Sequence, residues 1–461
     1  MDTLHIRNYH GKNVHFIGIG GISMSALAEI LLSKGYNVSG SDISDSSLLK
    51  RLSAKGAKIN IGHDASYIDN ADIIVYTAAV KPDNPEMKEA LHKNLPILQR
   101  AELLGQIMQT YPVSIGVSGS HGKTTTTSMI SMAMLKAGLD PTVLIGGELN
   151  DLGGNVRIGQ SPYFITEACE YVGSFLHFHP YIAVILNIDR DHLDYFKDID
   201  HIYDTFLEFA KLVPSDGYVA GCTDDHLVER LMSEISCNTI SYGMSKNADL
   251  YAESIEFDSK ACASFDVKYK DQALGHFSLK VPGRHNIYNA LATLAAIKAM
   301  GIDISEVHEA LQQYTGTKRR FEYKGIFNGI TVIDDYAHHP AEIEATLSTA
   351  RTLPYNKIWC VFQPHTYTRT KKLFNEFVTA LSGIDHVILT DIYSAREKDT
   401  KEIHSRHLSD AISNAGEDCI YISTFDEITD YLNKNTRPGD LVITMGAGDV
   451  HTVGENLLMM P

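Results

Sequence analysis

Short apolar runs of strand length alternate with amphipathic stretches of helical period along this chain, in three successive series. The first holds "NVHFIGIG", the amphipathic "SMSALAEILLSKG" closed by Gly35, then "NVSGSD" and "ADIIVYTAAV". The second begins near residue 112 with "PVSIGVSG", the helix "KTTTTSMISMAMLKAG", and the buried strands "SPYFITEA" and "YIAVILNID". The third opens after residue 320 with "GITVIDDY", "KIWCVFQP", "DHVILTD" and "DLVITMG", interleaved with the helices "PAEIEATLSTAR" and "RTKKLFNEFVTALSG". This pattern predicts an α/β protein whose parallel strands are joined by crossover helices. A chain of 461 residues fits three domains of roughly 150 residues each. We place the boundaries near residues 105 and 315, giving units 1–105, 106–315 and 316–461.

Bulk properties remove several function classes. A net charge of −17, from 40 basic and 57 acidic residues, argues against nucleic acid as a partner but leaves small anionic ligands open. Six scattered cysteines (Cys169, Cys222, Cys237, Cys262, Cys360, Cys419) contain no C-x-x-C pair and read as reduced thiols. No apolar run approaches the roughly 18 residues of a membrane helix, and "MDTLHIRNYHGKN" lacks a signal-peptide core. The expectation is a cytoplasmic protein with no membrane partner.

The strongest chemical signal is "GVSGSHGKTTTTSM". A standard phosphate loop reads G-x-x-x-x-G-K-[ST], and here Val117 stands where the first glycine belongs. The shorter Gly119-Ser120-His121-Gly122-Lys123-Thr124 remains, between a strand and a helix. Backbone N–H groups and the helix N-terminus there favour an anion. Lys123 adds a mobile charge for phosphates, and the Thr124 or Thr125 hydroxyl suits Mg²⁺.

Further polar groups fall at strand ends, where open α/β sheets bind ligands. Glu167 ends a strand expected beside the phosphate-loop strand, and "NIDRDHLD" offers His192 among three aspartates; together they suit Mg²⁺, with His192 the less usual ligand. Asn286 and Asn289 stand one turn apart at a helix start, where helix capping is the alternative for either. "IDDYAHHP" groups Asp334, Asp335, Tyr336, His338 and His339 before a proline-started helix, and "QPHTYTR" adds His365 and Arg369. An earlier loop, Gly18-Ile19-Gly20-Gly21-Ile22-Ser23, nearly matches G-x-G-x-x-G, with Asp42 at the end of the next strand. Alone it signals a dinucleotide site, and a pyrophosphate cradle more firmly than a nicotinamide pocket.

In combination the chain resembles the Mur ligases of peptidoglycan synthesis. The resemblance is carried by "IGIGGISMSALAEIL", "GSHGKTTTT", "TEACE", "NIDRDHLD", "GRHNIYNALA", "TKRRFE", "DDYAHHP", "QPHTYTRT" and "MGAGD", in family order from residue 16 to 449. It implies an N-terminal Rossmann-like domain for the UDP part of a substrate, a central P-loop ATPase-like domain with a mostly parallel sheet, and a C-terminal Rossmann-like domain for the amino acid. The implied reaction is ATP-dependent: L-alanine joins the lactyl carboxylate of UDP-N-acetylmuramate through an acyl phosphate. Alternatives are a ligase that takes a murein tripeptide and, more remotely, an NAD-dependent dehydrogenase.

Residue by residue, the resemblance implies Lys123 on the ATP phosphates, Thr124 and Glu167 on one Mg²⁺, and His192 at a second. Gly119, Ser120, His121, Gly122 and Thr125 complete the ATP loop, with Asn286, Asn289, Arg320, Asp335 and His339 closing over the nucleotide. Gly18, Gly20, Gly21, Ile22, Ser23, Asp42, His63, Thr77 and Ala78 would hold the UDP-substrate, and Tyr336, His365 and Arg369 the amino acid and lactyl carboxylate. Lys123, Glu167, His192, Arg320 and Asp335 would be the catalytic set. Ser120 for the family's Thr, Cys169 and Tyr171 for the Asp and Ser of "EADES", and Thr366 for an Arg are the departures.

Lys123→Ala should lower kcat at least ~10²-fold, about 3 kcal/mol of transition-state stabilisation, in a protein that still folds. Steady-state kinetics on the folded variant check this; a loss below tenfold would move phosphoryl transfer away from the loop.

Overall fold

The computed structural model describes residues 4–149, 154–395 and 397–460. Three sheets follow one another along the chain. The first comprises β1 (Asn13–Ile17), β2 (Asn37–Asp42), β3 (Lys58–Ile61), β4 (Ile73–Tyr76) and β5 (Ile97–Gln99). Its order is β3-β2-β1-β4-β5, and every pairing is parallel. Strand order reverses between β1 and β4, which opens a crevice at their carboxyl ends. The Gly18–Ser23 loop lies there, ahead of the helix Ile22–Ser33, which Gly35 (φ +82°) closes.

The central sheet has ten strands: β6 (Val113–Ser118), β7 (Thr142–Leu149), β8 (Gly154–Arg157), β9 (Tyr163–Glu167), β10 (Ile182–Ile185), β11 (Tyr218–Cys222), β12 (Asn238–Gly243), β13 (Leu250–Phe257), β14 (Cys262–Tyr269) and β15 (Gln272–Pro282). β6 runs between β10 and β9, both parallel to it, with Val117 opposite Glu167. The phosphate loop, Glu167 and Asn187 therefore leave three adjacent strands at one edge. β10 is buried throughout, the continuous apolar run expected of a strand covered on both faces.

The third sheet comprises β16 (Glu322–Phe327), β17 (Ile330–Asp335), β18 (Ile358–Phe362), β19 (His386–Leu389), β20 (Cys419–Tyr421) and β21 (Leu441–Met445). Its order is β16-β17-β21-β18-β19-β20, parallel except for β16. Two differences from the expected elements have local causes. The helix expected from Arg369 begins at Tyr367 and breaks at Leu373, whose φ −109°, ψ +28° leave the helical region, giving Tyr367–Lys372 and Phe374–Ala380. β13–β15 form an antiparallel arm that the alternation of apolar runs and helices does not announce. Its middle strand, β14, alternates half-buried and buried residues, and Lys270-Asp271 turn the last hairpin at φ +47° and +66°.

One apolar core, with Phe16, Leu27, Phe164 and Phe206, runs from the first sheet onto a face of the central sheet. The third sheet has separate clusters on its two faces. Residue 105 lies within the helix Arg100–Met108 that packs between the first two units, and residue 315 in the irregular stretch after the helix His308–Gln313. A Cβ on Gly105 would lie 1.8 Å from the His177 carbonyl oxygen. Gly105→Ala should therefore destabilise by about 3 kcal/mol or more, the upper end of overpacking costs. Chemical denaturation checks this; a change within ~0.5 kcal/mol would show that the two elements slide apart freely.

Candidate active site

The phosphate loop needs glycine at both ends. Gly119 sits at φ +142°, and a Cβ there would be 2.8 Å from the Leu186 Cβ. Gly122 (φ +85°) starts the helix Lys123–Lys136, and a Cβ there would be 2.8 Å from Asn289 Oδ1. The hydroxyl of Ser120 accepts from the Asp189 N–H (2.9 Å) and donates to its carbonyl (3.2 Å), so Ser keeps what a Thr would supply. Lys123 Nζ donates to the carbonyls of Gly119 and Ser120 and to Glu170, 3.0 Å away. Burial disfavours its charge, but the Glu170 carboxylate overrides this and raises the ammonium above the ordinary lysine range. It is a permanent cation. Burial and Glu170 push the neighbouring Cys169 thiol up to about 11, so it stays neutral.

Glu167 Oε1 accepts the Gly146 N–H at 2.7 Å. Cβ atoms built on Gly146 and Gly147 would meet the Glu167 carboxylate and the Thr124 methyl respectively, so both side chains face one short piece of β7. A carboxylate and a hydroxyl are hard oxygen donors that fit Mg²⁺. His192, in the left-handed region at φ +51°, stands apart from them. Its Nε2 is 3.5 Å from Glu170, and its ring lies 4.7 Å from that of Tyr171.

A cavity of about 370 Å³ lies beside the loop, lined by Thr125, Asn286, Asn289, Arg320, Asp335 and Glu342 among others. Neither asparagine caps its helix, because His285–Ala299 starts before them. Instead Asn289 donates to Asn286 Oδ1 (2.9 Å) and accepts from Thr126 (3.2 Å), joining this helix to the phosphate-loop helix. Arg320 is 3.7 Å from Glu342, which with Asp335 raises its pKa against the effect of burial. Burial raises Asp335 to about 6, although Arg320 and the N–H groups of Ala337 and Phe321 pull the other way. His339, expected over the nucleotide, is turned aside: its ring packs on His121 (4.8 Å) and its Nε2 meets the Arg190 carbonyl at 2.9 Å.

A second cavity, about 360 Å³, is lined by Tyr171, Asp191, His192, His365, Thr366 and Arg369 among others. Arg369 pairs with the buried Asp191 at 2.8 Å and approaches His365 Nδ1 at 3.1 Å. Burial, then Arg369, lowers His365 to about 4, a neutral imidazole. Tyr336 is not brought to this cavity; its ring lies under the guanidinium groups of Arg319 (5.0 Å) and Arg320 (5.2 Å). Thr366 caps the helix Tyr367–Lys372 by accepting the Arg369 N–H at 3.4 Å, a service no arginine side chain performs.

In the N-terminal crevice, the Asp42 carboxylate accepts the N–H groups of Gly20 and Ile43, both at 2.8 Å. A Cβ on Gly20 would lie 2.8 Å from Asp42 Oδ2, so glycine is required there by Asp42 itself. Gly18 packs against Thr77, and Gly21, Ile22 and Ala78 are exposed while Ser23 is half-buried. His63 is bonded to the buried Glu86 at 2.6 Å.

The role of Glu170, left open by the departures around it, is to anchor Lys123; sequence reasoning missed Asp191 and Glu342, which anchor Arg369 and Arg320. The signal for Glu342 was its place three residues after His339, where it takes the backbone N–H at the helix start. Asp191 had no signal beyond neighbouring a predicted residue.

Three family descriptions match successive parts of the chain: "Mur ligase family, catalytic domain" over residues 13–112, "Mur ligase middle domain" over 117–297, and "Mur ligase, glutamate ligase domain" over 319–448. The chain belongs to the Mur ligase family. Among its relatives, a UDP-N-acetylmuramate–L-alanine ligase of Acetivibrio thermocellus is 58% identical over 97% of this chain and 96% of that protein. One of the same name from Caldanaerobacter subterraneus is 54% identical over 97% of each. Among solved structures, a UDP-N-acetylmuramate–alanine ligase of Thermotoga maritima matches with TM-score 0.81 and 29% identity, covering 96% of this chain and 98% of that one. A murein peptide ligase of Psychrobacter arcticus matches with TM-score 0.73 and 25% identity, covering 97% and 98%. Family membership removes the dehydrogenase alternative. No helix among the described residues is long and apolar enough to cross a membrane.

Asp335 makes this Mur ligase's stability depend on pH. Its carboxyl titrates at about 6 folded against 3.8 unfolded. Between those values the unfolded state loses its proton while the folded state keeps it, so stability is lost as pH rises from 4 to 6. In Asp335→Asn the variant-minus-wild-type stability should grow over that window, by at most about 3 kcal/mol, and level off above it. Denaturant titrations at several pH values check this, and a flat difference would refute the shift.

Proposed function

We propose that this Mur ligase joins L-alanine to the lactyl carboxylate of UDP-N-acetylmuramate, using ATP and Mg²⁺, as one step of peptidoglycan precursor synthesis. The observation that carries the reading is a continuous charged path between the two cavities. From Lys123 it runs through Glu170 (3.0 Å) and His192 (3.5 Å) to the adjacent Asp191, and on to Arg369 (2.8 Å). In this reading phosphoryl transfer and acylation of an amine share one space. The substrate identities rest on relatives at 52–58% identity that carry this name. The unit boundaries 105 and 315 and the cytoplasm belong to the same proposal, and six free cysteines support a reducing compartment.

In this reading Lys123 and the N–H groups of Gly122, Lys123 and Thr124 at the helix start would hold the ATP phosphates, while Asn286, Asn289, Arg320 and Asp335 would bound the nucleoside. Thr124 and Glu167 would hold the Mg²⁺ ion, with His192 at a second, and the ion would offset charge on the transferred phosphoryl oxygens. The lactyl carboxylate attacks the γ-phosphorus and releases ADP. The amine of alanine then attacks the acyl phosphate, and inorganic phosphate leaves. Lys123 neutralises charge spreading over the phosphoryl group, and Arg369 supplies the cation for a carboxylate in the second cavity. His365, neutral near pH 7, presents its lone pair to Arg369 and keeps the guanidinium oriented. Gly18–Ser23 and Asp42 take the UDP part, remote from the chemistry.

ADP release should require UDP-N-acetylmuramate and L-alanine together, with kcat/KM for alanine at least tenfold above that for a murein tripeptide. A coupled ADP assay over a panel of amino acids and the tripeptide measures this. Preference for the tripeptide would replace the reading with that of a murein peptide ligase.

A further inference from the structure

His121, Asp189 and His339 converge beside the nucleotide cavity and share no residue with the oxygen donors suited to Mg²⁺. One donor atom from each lies within 4.8 Å of the others, the one such group of three among the described residues. Three segments supply them: the phosphate loop, the loop after β10, and the first turn of Pro340–Arg351 in the third unit.

The surrounding contacts resemble those of a metal site. Histidines that bind metals donate their other ring N–H to a carboxylate or a backbone carbonyl, which fixes the tautomer. His339 Nε2 meets the Arg190 carbonyl at 2.9 Å; with the proton there, Nδ1 keeps its lone pair, engaged only weakly by the Ala341 N–H at 3.4 Å. His121 Nδ1 faces Glu342 Oε1 at 3.5 Å, and its Nε2 faces Asp189 Oδ2 at 3.4 Å. Glu342 is itself held by the backbone N–H groups of His338 and His339. Asn187 grips both the N–H and the carbonyl of His121, so the loop is set before any ligand arrives. Electrostatics agree: burial opposes charge on His121, yet Asp189 and Glu342 raise it to about 9, so a proton occupies the position that attracts a cation.

We propose that His121, Asp189 and His339 bind a divalent transition ion of the zinc class, bridging the phosphate loop to the third unit. Two imidazoles and one carboxylate suit zinc and its neighbours and disfavour Mg²⁺. Tetrahedral zinc with bonds of about 2.0–2.1 Å sets its donors about 3.3 Å apart, so side-chain shifts of about 1.5 Å complete the site. Three protein ligands leave a fourth position on the side of the nucleotide cavity, which His121 lines. The bound ion replaces the His121 proton and staples the cavity rim to the helix Pro340–Arg351. Turnover then slows, because that rim no longer opens.

Co²⁺ and Zn²⁺ are the probes, added to the full chain in excess Mg²⁺ without ATP, so that the result stands apart from which amino acid the ligase uses. One equivalent of Co²⁺ should give the strong visible absorption of a four- or five-coordinate ion, Zn²⁺ should abolish it, and micromolar Zn²⁺ should raise the melting temperature. His339→Gln and Asp189→Asn should each lose the band and weaken Zn²⁺ binding at least tenfold, whereas His276→Gln, on the remote antiparallel arm, should keep both. Each variant is first melted without metal. If His339→Gln unfolds, Asp189→Asn and His121→Gln carry the comparison. Zn²⁺ should also inhibit wild-type turnover, reversibly with a chelator. The same Co²⁺ spectrum and Zn²⁺ shift in wild type and folded variants, or only the weak absorption of an octahedral ion, would overturn the proposal.

Discussion

A buried ammonium held against a buried carboxylate organises this molecule. Lys123 is taken out of water by the helix it begins, and two loop carbonyls and Glu170 return what solvation it loses. Removing one partner of such a pair leaves an uncompensated charge, commonly a cost of about 3–5 kcal/mol. Glu170 must therefore lie where the strand ending at Glu167 delivers it, and β9 must pair beside β6. The loop geometry follows as well, since Gly119 and Gly122 let the backbone approach Leu186 and Asn289 closely enough to present its carbonyls.

The same edge joins the units. The loop after β10 touches the phosphate loop through Asn187 and Asp189, and the third unit through the Arg190 carbonyl, Asp191 and Leu193. Five residues of this loop thus carry contacts to both sides of the reaction space. The first two units share an apolar core, whereas the third is held to them here largely by polar contacts. Polar contacts of this kind rearrange at lower cost than a packed core, as expected of a joint that opens and closes.

Much of this was legible from the chain. A glycine-rich loop between an apolar strand and a helix has few other uses, and parallel pairing forces Glu167 to the same edge. The antiparallel arm was missed because half-exposed strands advertise themselves by alternation, which is weak beside fully apolar runs such as "IAVI". The turn Asn328-Gly329, at φ +49° and +81°, carries an Asn-Gly hairpin signal for β16 and β17 that the stronger pattern of parallel units overshadows. Glu170, Asp191 and Glu342 were illegible for another reason. A carboxylate's role as counter-ion depends on which cation the fold sets against it, and distance in space is not written in local sequence. His339 and Tyr336 show the converse: the motif marks their segment, but not that His339 meets His121 and the Arg190 carbonyl or that Tyr336 lies under the guanidinium groups of Arg319 and Arg320.

Three groups positioned to receive an anion already hold a carboxylate of the protein: Gly20 N–H has Asp42, Lys123 has Glu170, and Arg369 has Asp191. Arriving phosphates and carboxylates must evict a resident, so binding is an exchange of one ion pair for another. Part of the attraction is spent on the displaced group, which blunts affinity for stray anions. What remains is selectivity, because only a ligand that satisfies several positions at once outcompetes residents tethered at high effective concentration. A chain of net charge −17 thereby keeps its few buried cations from capturing whatever anion is most abundant.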